Sequence, residues 1–370
     1  MESRSYTGTM AELTIKDRGM IANALKNKNI LVTGHSGFTG AWLSAWLQRL
    51  GAGVYGIGLP PHTNPSLYEF CAPHLWQQSH FIDINDAATL KERMRAIAPD
   101  LVIHLAAQPI VSMGYSDPAG TFATNVMGTF NVLDAASQIE SVKGAICITT
   151  DKVYQNREWC WGYRENDPLG GDDPYSASKS AAEMVIRSFQ FTLAPRRNRM
   201  QVVSVRGGNI IGGGDWSADR IVVDYVKAVT GAGSISLRNP GATRPWQHVL
   251  CLCHGYVELA ARILDGKDRS AEGCWNFGPS NDGNVSVSVL LTELAKHWKE
   301  VKINQPAQTF KESHFLHLNS DKARMELAWA PRLSFAETVE WTTAWYREFY
   351  ENKAEPLELM RGQLEAYLAR

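Results

Sequence analysis

The chain has 370 residues, 44% of them hydrophobic and 20% charged, which suits a globular protein with two domains or one domain with a large insertion. Its 37 basic and 38 acidic residues leave a net charge of −1, so charge gives no reason to expect nucleic acid or an anionic membrane as a partner. No apolar run is long enough to cross a bilayer.

Residues 1–25 read as a flexible arm. Met1–Lys28 is polar, mixed in charge and without the apolar core of a signal peptide. The six cysteines are Cys71, Cys147, Cys160, Cys251, Cys253 and Cys274. They form no Cys-x-x-Cys pair and no disulfide framework, so free thiols in a reducing cytoplasm are expected. Cys251 and Cys253 lie close to His248 and His254 in sequence. The pattern of Trp246–Ala261 predicts a helix, in which residues two apart point away from each other. No metal site is expected.

The first folded stretch is Asn29–Gly40. Ile30, Leu31 and Val32 make a short apolar run suited to a buried strand, and a helical pattern begins at Ala41. Between them stand Gly34, Gly37 and Gly40, three residues apart. Strand, glycine turn and helix in this order suit a dinucleotide pyrophosphate. Gly34 permits the turn, Gly37 lets backbone approach the phosphates, and Gly40 lets the helix lie against the strand.

Val54–Ile57 reads as a second strand. Neither an acid for an adenosine ribose nor a base for a 2′-phosphate stands at its end, so NAD is favoured over NADP only by the missing arginine. His80–Ile84 reads as a third strand with Asp83 at its end, either a surface residue or an adenine contact. Ala87–Ala98 has a helical pattern. Asp100–Gln108 is a fourth strand running into Ala106 and Ala107, small enough for a flat ligand to approach. Asp117–Ser137 and Tyr175–Phe191 read as helices, Lys143–Thr149 and Gln201–Arg206 as strands. This alternation predicts a doubly wound parallel sheet with ligands at the carboxyl ends of its strands.

Beyond Arg206 the rhythm changes. Gly207–Trp216 is a glycine-rich loop, and shorter elements follow. The predicted fold is α/β: a Rossmann-like sheet over residues 26–211, joined by 248–276, with a smaller substrate-binding lobe and closing helices in 212–247 and 277–370. Thr338–Tyr350 and Leu357–Leu368 are the closing amphipathic helices.

Tyr175 and Lys179 are four apart, one turn on one helix face. Free tyrosine, with a pKa of about 10, is a poor base at neutral pH. A nearby ammonium favours the phenolate, which can then take a hydroxyl proton as the carbon loses hydride. Thr150-Asp151-Lys152, at the end of the fifth strand, adds a hydroxyl, a carboxyl group and an amine facing the same cleft. Arg220, Arg238 and Arg244 are candidates for a diphosphate. Asn209 can donate an amide, and Trp216 and Trp246 offer flat surfaces to sugar or base. Twelve tryptophans are more than core filling alone explains.

The glycine triplet with Tyr175-x-x-x-Lys179 resembles the extended short-chain dehydrogenase/reductase family. Thr150-Asp151-Lys152 narrows the resemblance to its nucleotide-sugar 4,6-dehydratases. Asp151–Tyr175, Arg206–Trp216 and Arg238–Val249 are similar to the branch acting on CDP-glucose. The resemblance implies NAD as cofactor, contacted by Gly34, Gly37, Phe38, Gly40, Asp83, Ile84, Leu105, Ala106, Ala107, Tyr175 and Lys179. It implies Tyr175 as base at the 4-hydroxyl, Lys179 on the ribose, Thr150 on the 4-oxygen and Asp151 as acid to the 6-hydroxyl. Most such dehydratases carry glutamate at the position of Lys152, whereas the CDP-glucose branch resembles this chain in having lysine; Lys152 is the expected base at C5 in its neutral form, the alternative being a charged lysine that polarises the carbonyl or Asp151. Gln108 joins Asn209, Arg220, Arg238, Arg244 and Trp246 as an expected substrate contact. A homodimer or homotetramer through a helix bundle, and a product entering deoxysugar synthesis for lipopolysaccharide O-antigen, are also implied. The alternatives are a nucleotide-sugar 4-epimerase, a dehydratase for another nucleotide, and a non-catalytic NAD-binding sensor.

Overall fold

The computed structural model describes residues 19–197, 200–237, 239–266, 271–304 and 315–370. Apolar strand residues buried on both faces build one parallel sheet. Its strands are β1 (Asn29–Thr33), β2 (Gly53–Gly58), β3 (Gln78–Phe81), β4 (Leu101–His104), β5 (Gly144–Ile148), β6 (Gln201–Gly207) and, after three short strands, β10 (Gly273–Phe277). The order across the seven strands is β3-β2-β1-β4-β5-β6-β10, reversing direction of growth beside β1. Ile30, Val32, Ile103 and Val203 pack on one face against the helices Phe38–Arg49 and Val249–Asp265. Their alternates Leu31, Val102 and Val202 pack on the other against Ala87–Ile97, Thr129–Ala136 and Pro174–Ser188. Strand side chains alternate faces, so the two core layers follow from the sequence period.

The short strands are β7 (Asn209–Ile211), β8 (Ser234–Ser236) and β9 (Thr243–His248), with β11 (Asn284–Ser286) and β12 (Lys302–Asn304) later. They form a three-stranded sheet, β11-β9-β7, and the pair β12-β8.

Several expectations are corrected. Residues 19–25 of the expected arm form a helix that buries Ile21 and Leu25 in the core; Met1–Arg18 lie outside the described residues. The third strand runs two residues earlier than expected, because Gln78–Phe81 pairs with Tyr55–Gly58 and Asp83 then turns the chain. The loop Gly207–Trp216 contains β7, which pairs through its backbone with Trp246–His248. Trp246 itself lies on a strand rather than a helix. Pro245 has no N–H for a helix, and helix Val249–Asp265 starts where the His248 ring accepts from the Leu250 N–H.

Candidate active site

The glycine turn closes β1. Gly34 is left-handed at φ +72°, and a Cβ there would lie 2.7 Å from the Ala106 nitrogen. A Cβ on Gly40 would lie 2.4 Å from the Gly34 carbonyl oxygen. Backbone packing therefore demands glycine at both positions. Gly37 is different: its Cβ position meets only the Gly34 oxygen at 3.4 Å, and it heads the helix Phe38–Arg49 without a side-chain cap. Uncapped amides at a helix N-terminus suit an anion. Leu105 and Ala106 lie across the turn, their N–H groups donating to the Thr33 carbonyl (3.1 Å) and hydroxyl (3.3 Å). Ala107 follows, half-buried. Phe38, on the first helical turn, comes up against Gly212. Asp83 is exposed and accepts from the Asn85 N–H, whereas Ile84 is buried and its carbonyl is held by Asn131 at 2.9 Å. These groups fit a dinucleotide cofactor.

His35 was not anticipated from the sequence. It is buried under β2, where a Cβ on Gly56 would strike its ring, and its Nε2 meets the Ser79 hydroxyl at 2.7 Å. Burial lowers its pKa to about 4, so it is a neutral wedge between the first three strands.

At the end of β5 the chain makes a tight turn over Asp151–Val153. Thr150 starts it, its hydroxyl accepting from the Lys152 N–H and donating to Asp151 Oδ1 at 3.0 Å. Asp151 is buried, and its other oxygen, Oδ2, has no hydrogen-bond partner. Burial raises its pKa against the opposing influence of Lys152, the Thr150 hydrogen bond and Arg244. Such a setting favours the protonated form of a carboxyl group, the form that can give a proton away. Lys152 is half-buried beside it.

Tyr175 begins the facing helix, Pro174–Ser188, capped by Asp173. Its hydroxyl is hydrogen-bonded to Thr150, which brings base helix and triplet together. Burial pushes the phenol up to about 12; Arg220 is the largest influence downward, followed by the Thr150 hydrogen bond. This corrects the expectation that Lys179 depresses Tyr175. The Lys179 ammonium points beneath β5, donates to the Ile148 carbonyl at 3.2 Å, and is itself lowered to about 8 by burial.

A cleft of about 170 Å³ opens beside this group. Asn209, Arg220, Arg244 and Trp246 line it, and Arg244 acts electrostatically on Asp151. Arg238 lies outside the described residues. Gln108 is not brought to the cleft wall. Its amide donates to Thr121 at 2.8 Å and its carbonyl oxygen accepts from the Ile110 N–H at 2.6 Å, so both ends brace the loop after β4. Trp216 is likewise a correction: it packs among Phe70, Trp345, Tyr346 and Phe349, and its N–H is bonded to Tyr350. Trp42, Trp275, Trp329 and Trp345 are fully buried, so core filling claims more tryptophans than expected.

A doubly wound sheet, a glycine turn over its first strand, and a buried tyrosine and lysine beside the β5 turn define the extended short-chain dehydrogenase/reductase class. Within that class, the chain belongs to the family described as GDP-mannose 4,6 dehydratase, which matches residues 31–342. It is 40% identical over 339 residues to the CDP-glucose 4,6-dehydratase of Salmonella typhimurium, covering 88% of this chain and 93% of that one. Among solved structures, a dTDP-glucose 4,6-dehydratase of Streptomyces venezuelae with NAD bound matches with a TM-score of 0.73 at 24% identity, covering 89% and 99% of the two chains. A UDP-glucose 4-epimerase of Thermus thermophilus in complex with NAD matches with a TM-score of 0.74 at 22% identity, covering 86% and 99%. These two share the fold.

Proposed function

We propose that this protein is a NAD-dependent 4,6-dehydratase that converts CDP-D-glucose to CDP-4-dehydro-6-deoxy-D-glucose and water. The observation that carries the reading is Asp151, a buried carboxyl group whose pKa is raised by burial and whose Oδ2 has no hydrogen-bond partner. An epimerase has no use for an acid aimed at a 6-hydroxyl; a dehydratase requires one. The Salmonella relative supports the cytidine substrate.

Gly34, Gly37, Phe38 and Gly40 would hold the cofactor's pyrophosphate, Asp83 and Ile84 its adenine, and Leu105, Ala106, Ala107 and Lys179 the sugar beside the reacting ring. Bound there, NAD would supply an acceptor for hydride from C4 and, in its reduced form, the donor of hydride to C6. Tyr175, whose phenolate would be favoured by Arg220 and by the positive ring of the bound cofactor, removes the 4-hydroxyl proton, and Thr150 holds the 4-oxygen. The resulting 4-ketone acidifies the proton at C5, which Lys152 would remove as the neutral amine. Asp151 protonates the departing 6-hydroxyl, so water leaves as the C5–C6 double bond forms; Lys152 then returns its proton to C5 as hydride reaches C6. General acid–base steps of this kind contribute about 10²–10⁴-fold each. Arg220 and Arg244 bind the diphosphate, and Asn209 and Trp246 the remainder of the nucleotide sugar.

Residues 26–211 with 248–276 serve the cofactor in this scheme; 212–247 and 277–370 serve the substrate. Phe122, Met127, Met184 and Phe191 are exposed on the helical stretches 118–136 and 174–193, which supports pairing with a second copy through a helix bundle. No described helix is long and apolar enough to cross a membrane, and the cysteines are all unpaired, which supports a cytoplasmic enzyme. The product would enter deoxysugar synthesis for a surface polysaccharide such as O-antigen.

The test is turnover against CDP-, dTDP-, UDP- and GDP-glucose with product mass recorded. Loss of one water from CDP-glucose alone is expected. An isomeric product of unchanged mass would replace this reading with an epimerase. Replacing Lys152 with Ala tests the C5 base separately: solvent deuterium should no longer enter C5, and continued exchange would assign that step elsewhere.

A further inference from the structure

Behind the proposed catalytic groups lies a buried polar cluster that none of the chemistry above uses. Its centre is Glu183, on the helix Pro174–Ser188. Tyr175, Lys179 and Glu183 follow at four-residue intervals, so all three share one helix face. Glu183 is 4% exposed, and Arg206 on β6 is 3% exposed. Arg206 donates to it twice, from Nε to Oε1 at 3.0 Å and from Nη2 to Oε2 at 2.8 Å. Ser204 adds a third donor at 2.5 Å.

The remaining bonds reach the catalytic turn from both sides. Thr149, immediately before Thr150-Asp151-Lys152, donates its hydroxyl to Glu183 Oε1 at 2.6 Å. Tyr154, two residues after the triplet, accepts from Arg206 Nη1 at 2.8 Å and donates to Asn276 on β10 at 2.7 Å. The Ser180 hydroxyl, on the same helix, donates to the Val153 carbonyl at 2.9 Å. One buried carboxylate thus ties the base helix to both flanks of the triplet.

We propose that Glu183, acting through Thr149 on one side and through Arg206 and Tyr154 on the other, is the positioning residue that sets Asp151 and Lys152 in register with Tyr175. The two halves of the reaction use groups on two separate elements. Oxidation at C4 draws on Tyr175 and Lys179, both on the helix. Elimination across C5–C6 draws on Asp151 and Lys152, both on the turn. The same sugar must meet both sets without leaving. A turn that shifts relative to the helix therefore damages elimination first and leaves oxidation nearly intact. Helix and turn are both needed for folding, but only the register between them decides how the two halves keep pace.

The inference rests on the dehydratase reading, and its test separates the two. Holoenzyme with its cofactor is mixed with CDP-glucose, and absorbance of the reduced nicotinamide is followed alongside product mass. If wild-type enzyme gives no dehydrated product, the functional reading fails and the positioning role of Glu183 falls with it. Given wild-type turnover, the informative variants are Thr149→Val and Tyr154→Phe, singly and combined. Each removes one strut and leaves the Glu183/Arg206 pair in place. The combined variant should melt cooperatively, retain bound cofactor and oxidise CDP-glucose within about three-fold of wild type. Its elimination should slow at least ten-fold, so that reduced cofactor accumulates to a level not seen in wild type. Thr149→Ser, which keeps the hydroxyl, should restore the wild-type balance on its side. Oxidation and elimination slowing by the same factor, or no accumulation of reduced cofactor in any variant, would overturn the proposal. Should the combined variant not fold, the single variants decide by the same ratio.

Discussion

Asp151 and Glu183 are both carboxyl groups buried near the carboxyl edge of the central sheet, and their surroundings treat them in opposite ways. Burial disfavours the charged form of each. At Glu183 that penalty is outweighed by Arg206, Ser204 and Thr149, and its pKa falls below the ordinary value. At Asp151 the opposing influences of Lys152, Thr150 and Arg244 are weaker, and its pKa rises. The difference lies in donors supplied by the fold: Glu183 has both oxygens occupied, whereas Asp151 Oδ2 is left for something the protein does not provide. One site favours the anion and holds structure; the other favours the acid form that chemistry needs, at a cost in stability.

The sharpest way to break this contrast is Asp151→Asn. It should lower kcat by about 10²–10⁴-fold, because the proton donor is lost while shape is kept. The same change should raise the melting temperature at neutral pH. The raised pKa means that the neutral form of Asp151 stabilises the fold fully below its ordinary value of 3.8, and this benefit is lost as pH rises through the folded value. The advantage of the asparagine variant over wild type should therefore grow with pH and vanish in acid. Thermal melts across pH check it, and a variant less stable than wild type at neutral pH would refute the assignment of Asp151 as a buried acid.

Glu183→Ala should act in the opposite sense on stability. Removing one partner of a buried pair costs about 3–5 kcal/mol. Because the Glu183 pKa is lowered, its contribution is present above the ordinary value of 4.5 and is lost as pH falls through the folded value. Urea unfolding of wild type and variant should converge on acidification; parallel curves would mean that the pair carries no such stability.

Arg244→Met tests the cleft rather than the buried groups. A lost charge-assisted hydrogen bond to a diphosphate is worth about 1.5–3 kcal/mol, or about 10–150-fold in KM, with a smaller change in kcat. An unchanged KM for CDP-glucose would remove Arg244 from the diphosphate site. The smallest effect belongs to Arg49→Ala, which breaks an exposed pair with Glu365. It should cost less than about 1 kcal/mol and leave kinetics unaltered, a control showing how little an ion pair is worth when water reaches it.

Much of this was legible in the chain. Strands β1, β4, β5 and β6 declare themselves as apolar runs, and the Gly34/Gly37/Gly40 spacing marks the turn that follows β1. The weakly patterned elements were harder. β7 and β9 are joined by backbone bonds between Asn209–Ile211 and Trp246–His248, and such bonds leave no side-chain period to read. Gln108 looked like a ligand contact by position, but its amide had nearer partners in Thr121 and Ile110. Glu183 and Arg206 carried one usable signal, the placement of Glu183 a helical turn beyond Lys179.

The sequence by itself determined the identities and local order: a glycine turn between strand and helix, a tyrosine and lysine one turn apart, and a Thr-Asp-Lys triplet at a strand end. These are properties of neighbouring residues, fixed by backbone geometry and short-range sterics. Only the tertiary structure decided what those groups are chemically. Arg220 rather than Lys179 is the principal influence lowering Tyr175, Lys179 lies beneath β5, and burial raises the Asp151 pKa while Arg206 and its hydroxyl donors lower that of Glu183. Protonation in a buried site depends on lost water and on charges brought from distant segments, and no contiguous stretch of residues contains that information.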